Sequence, residues 1–204
     1  MTFPIDLTSA LTGASVYQLR RWRRTGLLVP EVRAYRPPLY SFRDVVAVRT
    51  VVWLRKEVSL QRIRRALANL PVFDFTEHPA QYKFATDGES IGVLDEHDQV
   101  VDLVLKPGQI QVFSLAEVFE EFQTKQGQLV ADFQQPKDHL EVRAARLGGW
   151  PTIANTRVPY DDVANLLREG DVTPDEVPSF YPSVSPEAAL DALEFDREVR
   201  SRVA

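Results

Sequence analysis

The chain of 204 residues contains no cysteine. That excludes disulfides, thiolate metal sites and a cysteine nucleophile. Histidine is scarce, and His78, His97 and His139 show no metal-ligand spacing. No apolar run reaches the length of a membrane span. The opening stretch MTFPIDLTSAL lacks the charged-then-apolar pattern of a signal peptide, so a cytoplasmic protein without membrane attachment is expected. There is no Gly-rich phosphate loop and no Gly-x-Ser-x-Gly elbow. The acidic run DEHD at 95–98 reads as a solvated hairpin tip. These absences lead to the expectation of a non-enzyme, with no catalytic residue, no metal and no cofactor.

What is present is a chain able to bury a core, with 44% hydrophobic and 10% aromatic residues. Its net charge of -5 is unevenly spread. Residues 1–70 carry 13 Lys and Arg against 4 Asp and Glu, or +9, whereas residues 71–204 carry 11 against 25, or -14. A basic head on an acidic body points to nucleic acid at one end and a different partner at the other.

Three segments are legible, giving an α+β protein. In the first, 1–71, a short helix over 7–11 is followed by a turn at Thr12-Gly13-Ala14. A second helix is capped by Ser15 and closed by Gly26, a third is capped by Ser41, and a fourth starts after Ser59. The second segment, 72–138, changes period. QYKFAT, SIGVL, QVVDLVL and IQVFSL read as strands of a small antiparallel β meander. A helix is expected next, with Ser114 and Glu117 as a capping box and Leu115, Val118, Phe119 and Phe122 as its apolar stripe. QTKQGQ and QQPKD read as linker. The third segment, 139–204, predicts a small β element turning at Gly148-Gly149. Three helices follow, over 160–169, after Thr173 and after Ser185.

The stretch SVYQLRRWRRTGLL carries the sharpest signal. On a helix, Val16, Leu19 and Trp22 fall together, and Tyr17, Gln18, Arg21 and Arg24 fall opposite, flanked by Arg20 and Arg23. An arginine run by itself is most often a solvated face. Behind a short helix and a glycine turn, it fits the second helix of a helix-turn-helix. Arginine can read guanine bidentately and glutamine can read adenine, while flanking arginines neutralise phosphates.

LTGASVYQLRRWRRTGLL followed by AYRPPLYSFRDVVAVRTVVWLRKEVSLQRIRRAL resembles the winged-helix DNA-binding domain of MerR-type regulators. The resemblance implies that the helix from Val16 enters the major groove, and that a wing carrying Arg36 and Tyr40 meets phosphates. It departs from the family at Pro37-Pro38 in the wing and lacks the usual glycine in LRKEVSL. A long dimerising helix does not follow.

LGGWPTIANTRVPYDDVANLLREGDVTPDEVPSFYPSVSPEAALDALEFD resembles the small domain-of-unknown-function family 433, associated with VapB-type antitoxins. Asn155 stands where a glycine is usual, and asparagine also tolerates a left-handed backbone. The resemblance implies a second three-helix, helix-turn-helix-like domain and a PIN-domain ribonuclease toxin as partner. Arg157 is either a toxin contact, pairing with carboxylates, or a structural tie between the hairpin and a helix of its own domain.

The expected protein is therefore a homodimeric antitoxin of a type II toxin–antitoxin pair. It would repress its own operator through Tyr17, Gln18, Arg20, Arg21, Arg24, Arg36 and Tyr40, and neutralise a PIN-domain toxin through the acidic remainder. The alternative is a MerR-like regulator that senses a small ligand through the middle β segment.

Overall fold

The computed structural model describes residues 1–97, 99–105, 107, 114, 115, 117–168 and 170–202. The N-terminal segment holds β1 (Phe3–Pro4), α1 (Ile5–Thr12), α2 (Val16–Arg24), β2 (Leu39–Tyr40), α3 (Phe42–Glu57) and α4 (Leu60–Asn69). The start signals read from sequence are used. Ser15 and Ser41 both complete capping boxes, and Ser59 accepts from Arg62 N. Strand β2 pairs antiparallel with β1, tying the base of the wing to the chain entry.

The middle segment contributes β3 (Phe84–Thr86), β4 (Ile91–Leu94), β5 (Val100–Asp102) and β6 (Ser114–Leu115) in the order β5-β4-β3-β6, all antiparallel. The last strand returns beside β3, so the sheet is not a simple meander. The strand expected in IQVFSL lies outside the described residues except for Ser114 and Leu115.

The helix expected after Ser114 is not formed. Ser114 and Leu115 are strand, 117–121 are irregular, and Phe122–Gln123 begins β7, which pairs with β8 (Leu129–Val130). The physical reason is tertiary. The carbonyls of Val118, Phe119 and Glu120, which would accept intrahelical bonds, instead accept from the Arg49 guanidinium of α3. Nor are the two polar runs linkers. QTKQGQ is the turn of the β7–β8 hairpin, with Thr124 N bonded to Gln128 O at 2.9 Å. In QQPKD, Lys137 bridges Glu194 at 2.9 Å and Glu198 at 2.6 Å.

The C-terminal segment pairs β9 (Leu140–Glu141) with β10 (Thr152–Ile153), followed by α5 (Tyr160–Arg168) and α6 (Pro186–Ser201). The helix expected after Thr173 is a 3₁₀ turn, Pro174–Ser179, with Pro178 inside it. Proline lacks the N–H that an α-helical continuation would need. Asn155 adopts φ +59°, the left-handed backbone expected there.

One contiguous core spans all three segments, from Leu7, Trp22 and Val51 through Ile91 and Phe133 to Tyr160 and Phe195. Helix α3 lies at its centre and is buried from Asp44 to Leu54, as a helix that is apolar nearly all round must be. A chain of aromatic contacts crosses the segment boundaries. Phe133 meets Phe42, Phe42 meets Phe3, Phe3 meets Trp150, Trp150 meets Tyr160, and Tyr160 meets Phe195 edge-on at 4.9 Å.

Candidate nucleic-acid interface

Helix α2 buries one stripe and shows another. Val16, Leu19 and Trp22 are buried against the core, with Trp22 at 1% exposure. Tyr17, Arg20, Arg21 and Arg24 are exposed, Tyr17 at 67%. The glycine turn before the helix is demanded twice. Gly13 has φ +75°, and a Cβ there would overlap the Val130 side chain.

Gln18 sits differently from its expected role. Its Oε1 accepts from Ser15 N at 2.8 Å as half of the capping box. Bidentate adenine reading needs both the amide oxygen and the amide nitrogen. With the oxygen already accepting one bond, Gln18 has to use its second lone pair or leave the capping box to present both groups to adenine. Arg23, which flanks the stripe, is half-buried. It donates to Ala34 O at 3.0 Å and lies 4.8 Å from the centre of the Tyr35 ring, fastening the 28–40 loop to α2.

The wing is braced by Arg33, whose Nε donates to Pro37 O at 2.9 Å, and by the Arg43–Glu31 ion pair at 2.8 Å. Arg36 is exposed on it. Tyr40 is not on this surface. It is 2% exposed, and burial pushes its phenol up to about 12. Strand β2 turns it into the core beneath the wing, so it does not share the face formed by the other named residues. Asp44 holds the wing's other end. Its Oδ2 accepts from Ser41 N and Glu31 N, and its Oδ1 lies 3.3 Å from His78 Nε2.

Two features escape sequence reasoning. Arg49 is 1% exposed and donates to the carbonyls of Leu11, Val118, Phe119, Glu120 and Ala131. Burial pulls its guanidinium down to about 10, and the Asp132 charge opposes this, so it is cationic at neutral pH. The only signal was a lone arginine in the apolar run VVAVRTVVW. The second feature is the β7–β8 hairpin, which lies beside α2, with Thr124, Lys125, Gln126 and Gln128 facing Gln18, Arg55 and Lys56 across a shallow cleft.

Arg157 is exposed. Among the described residues it makes no hydrogen bond or ion pair. Within the hairpin itself, Glu141 pairs with Arg143 and Arg146 and accepts from Asn155 N at 2.7 Å. Among the described residues, no group of three or more His, Asp or Glu side chains is placed to hold a metal ion, and no helix is long and apolar enough to cross a membrane.

Residues 3–70 match the family model of the MerR HTH family regulatory proteins, and residues 141–195 match that of a protein of unknown function, DUF433. No curated protein and no solved structure matches the chain. The protein thus carries a MerR-family helix-turn-helix domain at its N-terminus and a DUF433 domain at its C-terminus.

Proposed function

We propose that the protein is an operator-binding repressor and the antitoxin of a type II pair. The carrying observation is helix α2, which buries Val16, Leu19 and Trp22 and exposes Tyr17, Arg20, Arg21 and Arg24 beside a braced wing bearing Arg36. That face fits the major groove, with arginines able to meet guanine edges and phosphates. A homodimer on a symmetric operator would place two such helices one helical turn apart.

The C-terminal segment carries 7 basic and 12 acidic side chains over 139–204, which disfavours a DNA role there. The DUF433 resemblance supports a PIN-domain ribonuclease as its partner, and the exposure of Arg157, unpaired among the described residues, supports it as a contact for toxin carboxylates. The test is a nuclease-treated pull-down of the tagged chain from its host. Stoichiometric recovery of a small PIN-type ribonuclease, lost with Arg157→Ala, supports the antitoxin reading. Recovery of the chain alone, when the purified chain still binds its upstream DNA in a separate binding assay, leaves a repressor without that partner and sinks the toxin half.

A second reading is a ligand-sensing regulator. A cleft at the edge of the middle sheet is lined by Phe73, Phe75 and Tyr82 together with Asp74, Glu77 and Glu96, a combination suited to an organic cation. Native mass spectrometry of the purified chain tests it. A retained small molecule that alters DNA affinity would favour this reading.

A further inference from the structure

The geometry points to the β7–β8 hairpin as a second DNA-gripping wing, which holds backbone phosphates on the side of the recognition helix away from the first wing. The inference rests on the DNA-binding reading above.

The first wing reaches α2 through Arg23 and Tyr35. At 100° per residue, Gln18 lies on the other flank of the helix, about 140° from Arg23. The hairpin faces that flank, since Gln18 lines the same cleft as Lys125, Gln126 and Gln128. Helix α3 supplies two further cations there, Arg55 and Lys56. Lys56 is 3.8 Å from Glu57 and lies over the Trp53 ring, while Arg55 has no ion-pair partner among the described residues. Lys125 is exposed and likewise unpaired among them.

Composition agrees with placement. No arginine occurs between Arg65 and Arg143 in an acidic stretch, yet residues 122–130 carry Lys125 and no carboxylate. The polar tip, with Thr124, Gln126 and Gln128 beside the lysine, offers the neutral donors that accompany phosphate contacts.

The hairpin is also held rigidly to the helix-turn-helix. Val130 packs on the Cα of Gly13, where a Cβ has no room. Phe122 is buried under the Arg49 guanidinium at 5.3 Å, and Arg49 binds both Leu11 O of α1 and Ala131 O just after β8. At the tip, Gly127 takes φ +77° and its N–H bonds to Thr124 O at 2.9 Å. A hairpin fixed in this way brings its lysine to DNA with no backbone left to order, so that the side chain alone bears the ordering cost.

The experiment uses the full chain and a duplex recovered by selection on it from a random DNA pool. Affinity is measured against salt for the parent, Lys125→Ala, Lys125→Glu, Lys125→Arg, Arg24→Ala, and Lys83→Ala as an exposed lysine outside the cleft. Each lost phosphate contact flattens the salt slope by about 0.9. Lys125→Ala is expected to lose about one such contact and to bind about 3- to 10-fold more weakly at low salt. Lys125→Glu loses more, Lys125→Arg is restored, and Lys83→Ala is unchanged. Parental slopes for Lys125→Ala and Lys125→Glu, with Arg24→Ala weakened, overturn the second wing and leave the DNA reading intact. Tighter binding by Lys125→Ala also overturns it, marking the hairpin as an obstruction. If the pool yields no duplex for the parent chain, the DNA reading itself fails.

Discussion

Gly149 of the DUF433 domain lies against the ring of Phe42, the first residue of α3 in the helix-turn-helix domain, so closely that a Cβ on Gly149 would overlap the ring. The two domains are therefore packed into one body at this point. Gly149 also takes φ +85°, which side-chain-bearing residues rarely adopt. Gly149→Ala should destabilise the whole chain by about 2–4 kcal/mol, from overpacking and left-handed strain together. Adding Phe42→Ala should recover the overpacking part and leave the strain. A double-mutant cycle by urea unfolding reads this coupling, and additive losses would refute the contact.

Arg49 joins the same body from within. Replacing it by Met leaves five backbone carbonyls without their donor, so a loss of about 3–5 kcal/mol is expected. Arg49→Lys should recover only part of this, because an ammonium has three donors and no fork. Cooperative melts followed by far-UV and tryptophan signals check both. A near-parental midpoint for Arg49→Met would contradict the assigned role.

The outward face of α2 should affect binding and not folding. Arg21→Ala and Arg24→Ala should each weaken DNA binding by about 1–3 kcal/mol while leaving the melting temperature unchanged, since both side chains are exposed. The contrast is Trp22→Ala, which removes a buried ring and should cost about 3–5 kcal/mol of stability. Intact DNA binding by an Arg21, Arg24 double variant would place the interface elsewhere.

Alkaline pH should destabilise the fold. The Tyr40 phenol is pushed by burial from 10.0 to about 12, so the native state keeps a proton that the unfolded chain releases. The folded value is raised, so this contribution is fully present below pH 10 and is lost as pH rises towards 12. Over that window the loss is at most about 3 kcal/mol. Tyr160 is pushed further in the same direction, chiefly by burial. Urea midpoints across this range should fall in the parent and fall less in Tyr40→Phe, and equal slopes would refute the assignment.

Much of the N-terminal domain was legible because its signals are local. Ser15, Ser41 and Ser59 bond to backbone N–H groups three residues away, and Val16, Leu19 and Trp22 lie on one face by helical spacing alone. The same locality made Asn155 readable as a left-handed turn. The helix expected at 114–122 has a good capping pattern and apolar stripe, and local reasoning had no access to a guanidinium 69 to 71 residues away in sequence. Tyr40, expected at the phosphates, is buried for a related reason. Register with Phe3 across β1 and β2 decides which way it points.

The sequence by itself determined the charge division, the helix starts and the two-faced recognition helix, since each depends on residues within a few positions of one another. Only the tertiary structure decided that the three segments share one core, that QTKQGQ is a hairpin tip beside α2, and that Arg157 is exposed while Arg49 is buried. Those outcomes depend on packing and hydrogen bonds between distant segments. A buried cation takes whatever acceptors the fold brings to it, and chain order does not specify them.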